Sequence, residues 1–149
     1  MPHDYRLRPA RPDDLESLMA IGHEGLRPYV EALWGWDRED QRRRFRESFD
    51  WRVISVVQIE GRDVGYLRVE DGGDHIYLAG IYVDADHRGS GLGTRLLTDL
   101  IARAHAAQRP LRLRVLVPNA AYRLYERLGF RRTSEDATHI YMELDPDDG

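Results

Sequence analysis

The chain has 149 residues, 42% of them hydrophobic and none a cysteine, and a formal net charge of −4. That is one ordinary domain with enough apolar surface for a core, without disulfides or thiolate chemistry, and with no global positive field to draw it onto nucleic acid or anionic lipid. All 22 basic residues are arginine, which excludes a P-loop, whose phosphates need a lysine, and any Schiff-base mechanism. The opening MPHDYRLRPARPDD lacks the apolar stretch of a signal peptide. No apolar run approaches the roughly 18 to 20 residues of a membrane helix. A cytoplasmic protein that does not enter the membrane is expected.

In chain order, YRLRP reads as a short strand. RPDDLESLMAIGHEGL reads as a helix, opened by Pro12 and the acidic pair Asp13 and Asp14 at its positive end. DREDQRRRFRESF is a second helix, with Glu39 to Arg43 and Asp40 to Arg44 at i, i+4. Residues 52–85 give three β-rich runs separated by Glu60-Gly61-Arg62-Asp63 and Asp71-Gly72-Gly73-Asp74, the pattern of an antiparallel meander. Leu96, Leu97, Leu100, Ile101 and Ala104 recur at helical spacing after Gly93. LRLRVLV is then a strand, NAAYRLYERLG a helix ended by Gly129, and FRRTS with THIYMEL a last strand pair. The tail DPDDG is expected to fray. With no internal repeat and no linker, residues 1–149 read as one α+β unit.

The stretch DADHRGSGLGTRLL carries the first chemical signal. Glycines between a strand and a helix let the backbone turn sharply and leave the first helical N–H groups pointing outward. The helix dipole adds about half a positive charge there and Arg88 a full one, a setting for a pyrophosphate. The dinucleotide fingerprint does not fit, because Gly91-Leu92-Gly93 is followed by Thr94, Arg95 and Leu96 in place of a third glycine.

The hexapeptide Arg88-Gly89-Ser90-Gly91-Leu92-Gly93, with NAAYRLYERLGF some 26 residues further on, resembles the motifs of the GNAT superfamily of acyl-CoA-dependent N-acyltransferases. The predicted order β-α-α-β-β-β-α-β-α-β-β is similar to that family's over nearly the whole chain. The resemblance implies a mixed, mostly antiparallel sheet of about seven strands flanked by about four helices. It also implies that the backbone from Arg88 through Thr94 holds the pyrophosphate of coenzyme A. The preceding strand, Ala79 to Val83 and in it Ile81, Tyr82 and Val83, would pair with the pantetheine arm, one N–H polarising the thioester carbonyl. Asn119 resembles the asparagine that bonds the pantetheine. Tyr125, in Leu124-Tyr125-Glu126-Arg127-Leu128-Gly129-Phe130, resembles the tyrosine beside the thioester sulfur and is the candidate general acid.

Two features depart from the family pattern. Asn119 is one residue nearer the tyrosine than in the commoner spacing, and YLAGIYV has no glutamate to act as base. Glu24, Glu31, Glu70 and His75 are the candidates for that role, against the plain reading of each as a surface charge. Glu31, Tyr29 and Trp34, with Trp36, fall in the segment that in the family lies over the acceptor. They read either as a substrate wall or as aromatics sealing helices onto the sheet. The histidines at 3, 23, 75, 87, 105 and 139 form no ligand spacing, so no metal is implied. The expected function is transfer of an acetyl group from acetyl-CoA to the primary amine of a small molecule by direct attack. A protein N-terminal or lysine acceptor, or a non-catalytic acyl-CoA-binding module, are the alternatives, and a homodimer is the candidate assembly.

Overall fold

A computed structural model describes residues 4–146; His3 and most of the tail expected to fray lie outside the described residues. β1 (Arg6–Pro9) leads through a 3-10 turn at Pro12–Asp14 into α1 (Leu15–Trp34). Asp14 fixes this entry. Its carboxylate accepts the Arg11 N–H at 2.8 Å and two guanidinium nitrogens of Arg8 at 2.9 Å. That pairing holds the Asp14 carboxyl below the usual carboxylate range, and the same guanidinium reaches Asp63 at 2.8 Å.

α1 runs eight residues beyond the helix read from the sequence, through Pro28, and stops at Gly35, whose φ is +77°. A proline inside a helix loses one N–H and crowds the preceding turn; here packing of the helix overrides that local cost. α2 (Arg38–Ser48) follows, capped by Asp37, whose side chain accepts the Asp40 N–H.

β2 (Ile54–Ile59), β3 (Arg62–Asp71) and β4 (Ile76–Val83) are the three expected runs, with positive φ at Glu60 and Gly61 in the first turn. α3 (Leu92–Ala106) is followed by β5 (Leu111–Leu116), α4 (Tyr122–Arg127), β6 (Arg131–Glu135) and β7 (His139–Leu144). The strands form one seven-stranded sheet in the order β1-β2-β3-β4-β5-β7-β6. β1 and β2, β2 and β3, β5 and β7, and β6 and β7 pair antiparallel, whereas β4 and β5 are parallel, joined by the α3 crossover. The parallel ladder covers only Ile76↔Leu111 to Leu78↔Leu113.

The chain divides into two compact units, one up to Arg68 with Gly80–Gly93, the other Val69–Ala79 with Thr94 onward. In the first, Ala10, Leu18, Ile54, Val56 and Tyr66 form a buried cluster covered by Ile21, Phe45, Phe49 and Tyr82. In the second, strict alternation buries Leu111, Leu113 and Val115 of β5, and the register sets them opposite Leu144, Met142 and Ile140 of β7.

Within the first unit α1 comes down onto two tyrosine rings. A Cβ at Gly22 would lie 2.4 Å from the Tyr66 hydroxyl, and one at Gly25 would lie 3.3 Å from the Tyr82 ring. Alanine at Gly22 gains about 1 kcal/mol of helix propensity, yet here it must displace a buried ring, which costs about 1–3 kcal/mol. Gly22→Ala is therefore expected to lower the urea midpoint. Adding Tyr66→Phe, which removes the clashing oxygen, should return most of the loss; no recovery in the double variant would show that the ring is not the obstacle.

Candidate active site

The glycine loop lies between β4 and α3. Asp84 holds its start: one carboxylate oxygen accepts the His87 N–H at 3.1 Å and contacts the His87 Nδ1 at 2.6 Å. The Ser90 hydroxyl donates to the His87 carbonyl. Gly89 and Gly91 have φ of +73° and +88°, values that side chains rarely adopt, so these two glycines are required by the turn itself. A Cβ at Gly89, Gly91 or Gly93 would meet nothing within 4 Å. Leu92, the first residue of α3, is buried, and Thr94, the last residue of the motif, is exposed on that turn. The loop thus combines an open approach with helix N–H groups that have no preceding carbonyl. These features fit a pyrophosphate.

Arg88 is turned back onto its own unit. Its Nε donates to the Val83 carbonyl at 3.1 Å, and its terminal nitrogen pairs with Glu24 of α1 at 3.0 Å. The pair is solvent-exposed, a setting worth about 0–1 kcal/mol, and so exchangeable for a phosphate. Upstream, the Tyr82 carbonyl approaches Gly65 so closely that a Cβ there would lie 2.3 Å away. The Tyr82 ring lies 5.1 Å from that of Tyr66, and burial pushes both phenols up in pKa. The ladder to β5 ends at Leu78, so the β4 backbone at Ile81, Tyr82 and Val83 keeps an edge outside that ladder.

A groove of about 570 Å³ opens along α1 and α2. His23, Glu24, Arg27 and Glu31 come from α1, and Trp36, Arg38 and Arg42 complete it. Trp36 sits 5.1 Å from the His23 ring, edge to face, with the Arg27 guanidinium 5.4 Å above its centroid. Of the expected acceptor residues, Glu31 lines this groove, paired with Arg27 at 3.1 Å. Tyr29 and Trp34 do not line it. A two-residue step carries Tyr29 about 200° round the helix from Arg27. Trp34 is the last residue of α1 and 59% exposed. Of the three aromatics named in this segment, Trp36, beyond the turn at Gly35, is the one that lines the groove.

His23, which the sequence did not single out, also lines the groove. Burial first, and the nearby Arg42 second, depress its pKa below the usual value, so its imidazole is neutral at pH 7. It also borders a second cavity of about 170 Å³ that reaches Tyr66 and Tyr82. Glu24 and Glu31 are both held by arginines. His75 pairs with Asp74.

In the second unit, Tyr125 of α4 is buried, with its ring 5.7 Å from Phe130. Tyr122, three residues earlier, instead lies under the Arg132 guanidinium at 4.8 Å and takes a bond from Arg123. The two tyrosines thus have different surroundings. Asn119 uses its side-chain oxygen to accept the Ala121 N–H at 2.9 Å at the entry to α4, which leaves its amide N–H groups as the donors. Among the described residues no cluster could hold a metal ion, and no helix is long and apolar enough to cross a membrane.

Residues 50–132 match the acetyltransferase (GNAT) domain family. Over 93% of its length the chain is 33% identical to a mycothiol acetyltransferase of Thermobispora bispora, of which it spans 50%. A PaiA N-acetyltransferase from Thermoplasma acidophilum, solved in complex with coenzyme A, superposes with a TM-score of 0.77 over 95% of this chain and 99% of that one, at 16% identity. The ribosomal-protein-S18-alanine N-acetyltransferase from Escherichia coli does so with a TM-score of 0.70 over 95% and 94%, at 22% identity. The chain belongs to the GNAT acetyltransferase family.

The histidines give the fold a pH dependence whose sign is fixed. His23 and His139 both have pKa values lowered by burial. The unfolded chain therefore binds protons that the folded one refuses, and stability falls as pH drops through the ordinary histidine value of about 6.5. The carboxylates paired with Arg8, Asp14 and Asp63, act only in a lower window, below their ordinary value of about 3.9. Urea midpoints are expected to decline from pH 7.5 to 5.5, with a shallower slope in His23→Gln. An unchanged slope would mean that His23 titrates alike in both states.

Proposed function

We propose that this chain is an acetyl-CoA-dependent N-acetyltransferase acting on the primary amine of a small molecule. The observation that carries the reading is the glycine loop, whose open side offers both the shape and the N–H donors for a pyrophosphate. In this reading Arg88 leaves Glu24 for a phosphate oxygen, and the loop from Gly89 to Thr94 does the remaining work through its backbone. The free edge of β4 orients the acyl arm, and one of its N–H groups bonds the carbonyl oxygen where negative charge develops. The coenzyme, when bound, supplies the activated acyl group and a thiolate leaving group.

The chain's own residues handle the protons. An alkyl ammonium with a pKa near 10.4 is deprotonated in only about one molecule in a thousand at pH 7. The neutral His23 ring in the groove is the group that accepts this proton. Tyr125 returns a proton to the thiolate; a phenol with an ordinary pKa of about 10 is matched to an alkyl thiol. Asn119 contributes its amide N–H to the same arm. The groove volume supports a small acceptor, since pockets of about 300–1,000 Å³ are typical of small-molecule sites. A protein N-terminus is the second reading, supported by the fold shared with the S18-alanine enzyme.

Two variants test this reading. Gly93 has no positive φ and open space before it, so Gly93→Val is expected to fold with a nearly unchanged melting temperature while coenzyme A affinity drops by at least about tenfold, roughly 1.4 kcal/mol. Unchanged affinity by calorimetry would remove the loop from the binding site. Tyr125→Phe keeps the ring and loses the proton. Its kcat in a thiol-release assay should fall by about 10² to 10⁴, with the fold and coenzyme affinity retained and Tyr122→Phe nearly silent. Near-normal turnover in Tyr125→Phe with chemistry rate-limiting would make that tyrosine structural.

A further inference from the structure

The charges of the groove define its ligand more narrowly than an amine alone. Three arginines, Arg27, Arg38 and Arg42, face two glutamates, Glu24 and Glu31. Glu31 is matched by Arg27 at 3.1 Å, and Arg42 reaches out of the groove to Glu16 at 3.1 Å. Glu24 is held by Arg88 from the glycine loop. Arg38 makes no ion pair among the described residues. It is the first residue of α2, where the helix dipole adds positive charge to its own. The cationic excess of the groove therefore lies on α2, with Arg38 and Arg42, and the carboxylate held by the glycine loop lies on α1. Trp36 lines the same groove, with one face already covered by Arg27.

We propose that the acceptor is an amine that also carries a carboxylate. Resting on the acetyltransferase reading above, this places the ammonium at Glu24 and His23, the carboxylate on Arg38 with Arg42 behind it, and the body of the molecule against Trp36. A polyamine or an aminoglycoside is disfavoured, because its further ammonium groups would meet unpaired guanidinium charge. Glu24 becomes fully available only when Arg88 turns to a phosphate, so coenzyme binding prepares the amine end of the groove. The carboxylate end needs no such change, since Arg38 has no ion pair to give up among the described residues.

Three probes of one shape separate these contributions: L-phenylalanine, phenethylamine, which lacks the carboxylate, and 3-phenylpropionate, which lacks the amine. Binding is read from the Trp36 indole resonance in NMR titrations of the coenzyme-A-saturated protein, assigned with Trp36→Phe. Turnover is read separately by thiol release from acetyl-CoA. Phenylalanine is expected to bind about tenfold more tightly than phenethylamine, the effect of one charge-assisted bond. Arg38→Ala should reduce that preference to about twofold or less, and Arg38→Lys should restore part of it. Equal or tighter binding of phenethylamine, a preference that survives Arg38→Ala, or no response to any probe would overturn the proposal. If phenylalanine is preferred in binding but no probe releases thiol, the groove assignment stands and acetyl transfer to such amines fails.

Discussion

The seating of α1 on Tyr66 and Tyr82 is the contact on which the first unit depends. A side chain has to be missing at Gly22 for it to form, and at Gly25, one helical turn on, a Cβ would crowd the Tyr82 ring. With the helix drawn this close, His23 and Glu24 between the two glycines are held where α2 and the glycine loop can reach them. His23 meets Trp36 and Phe45 of the α2 side, while Glu24 meets Arg88. The same tyrosines stay protonated because burial disfavours the phenolate, so the helix rests on neutral, rigid rings. Bulk at either glycine would lift the helix and separate the groove from the loop together.

Most of the architecture was legible because its signals are local. The alternation in LRLRVL and HIYMEL specifies which faces of β5 and β7 are buried, and the observed register sets those positions opposite one another. The amphipathic spacing after Gly93 and the glycines before it specify the strand-to-helix junction. The length of α1 was not legible: Pro28 reads as a stop, and only the packing of the helix carries it on to Trp34. The same extension of α1 separates the aromatics of this segment: Trp36, past Gly35, lines the groove, and Tyr29 does not.

The site was legible where backbone does the work and illegible where side chains meet across elements. Gly89 and Gly91 announce positive φ by being glycine. Nothing in the order of residues brings Arg88 to Glu24, 64 positions earlier, or sets His23 where burial and Arg42 lower its pKa. The one trace of His23 is its place four residues after Met19, a buried position of α1.

The ion pairs that tie this protein together, Arg8 with Asp14, Arg88 with Glu24, Arg112 with Glu143, all use guanidinium groups. A guanidinium stays protonated at any physiological pH and has no lone pair free to attack a thioester. A lysine in any of these places would be a slow nucleophile, and each acyl group it captured would erase a positive charge and its bridge. With no lysine anywhere in its sequence, the chain has no ε-amine that an activated acyl donor could modify. Its electrostatic framework is chemically inert toward the reagent that its family handles.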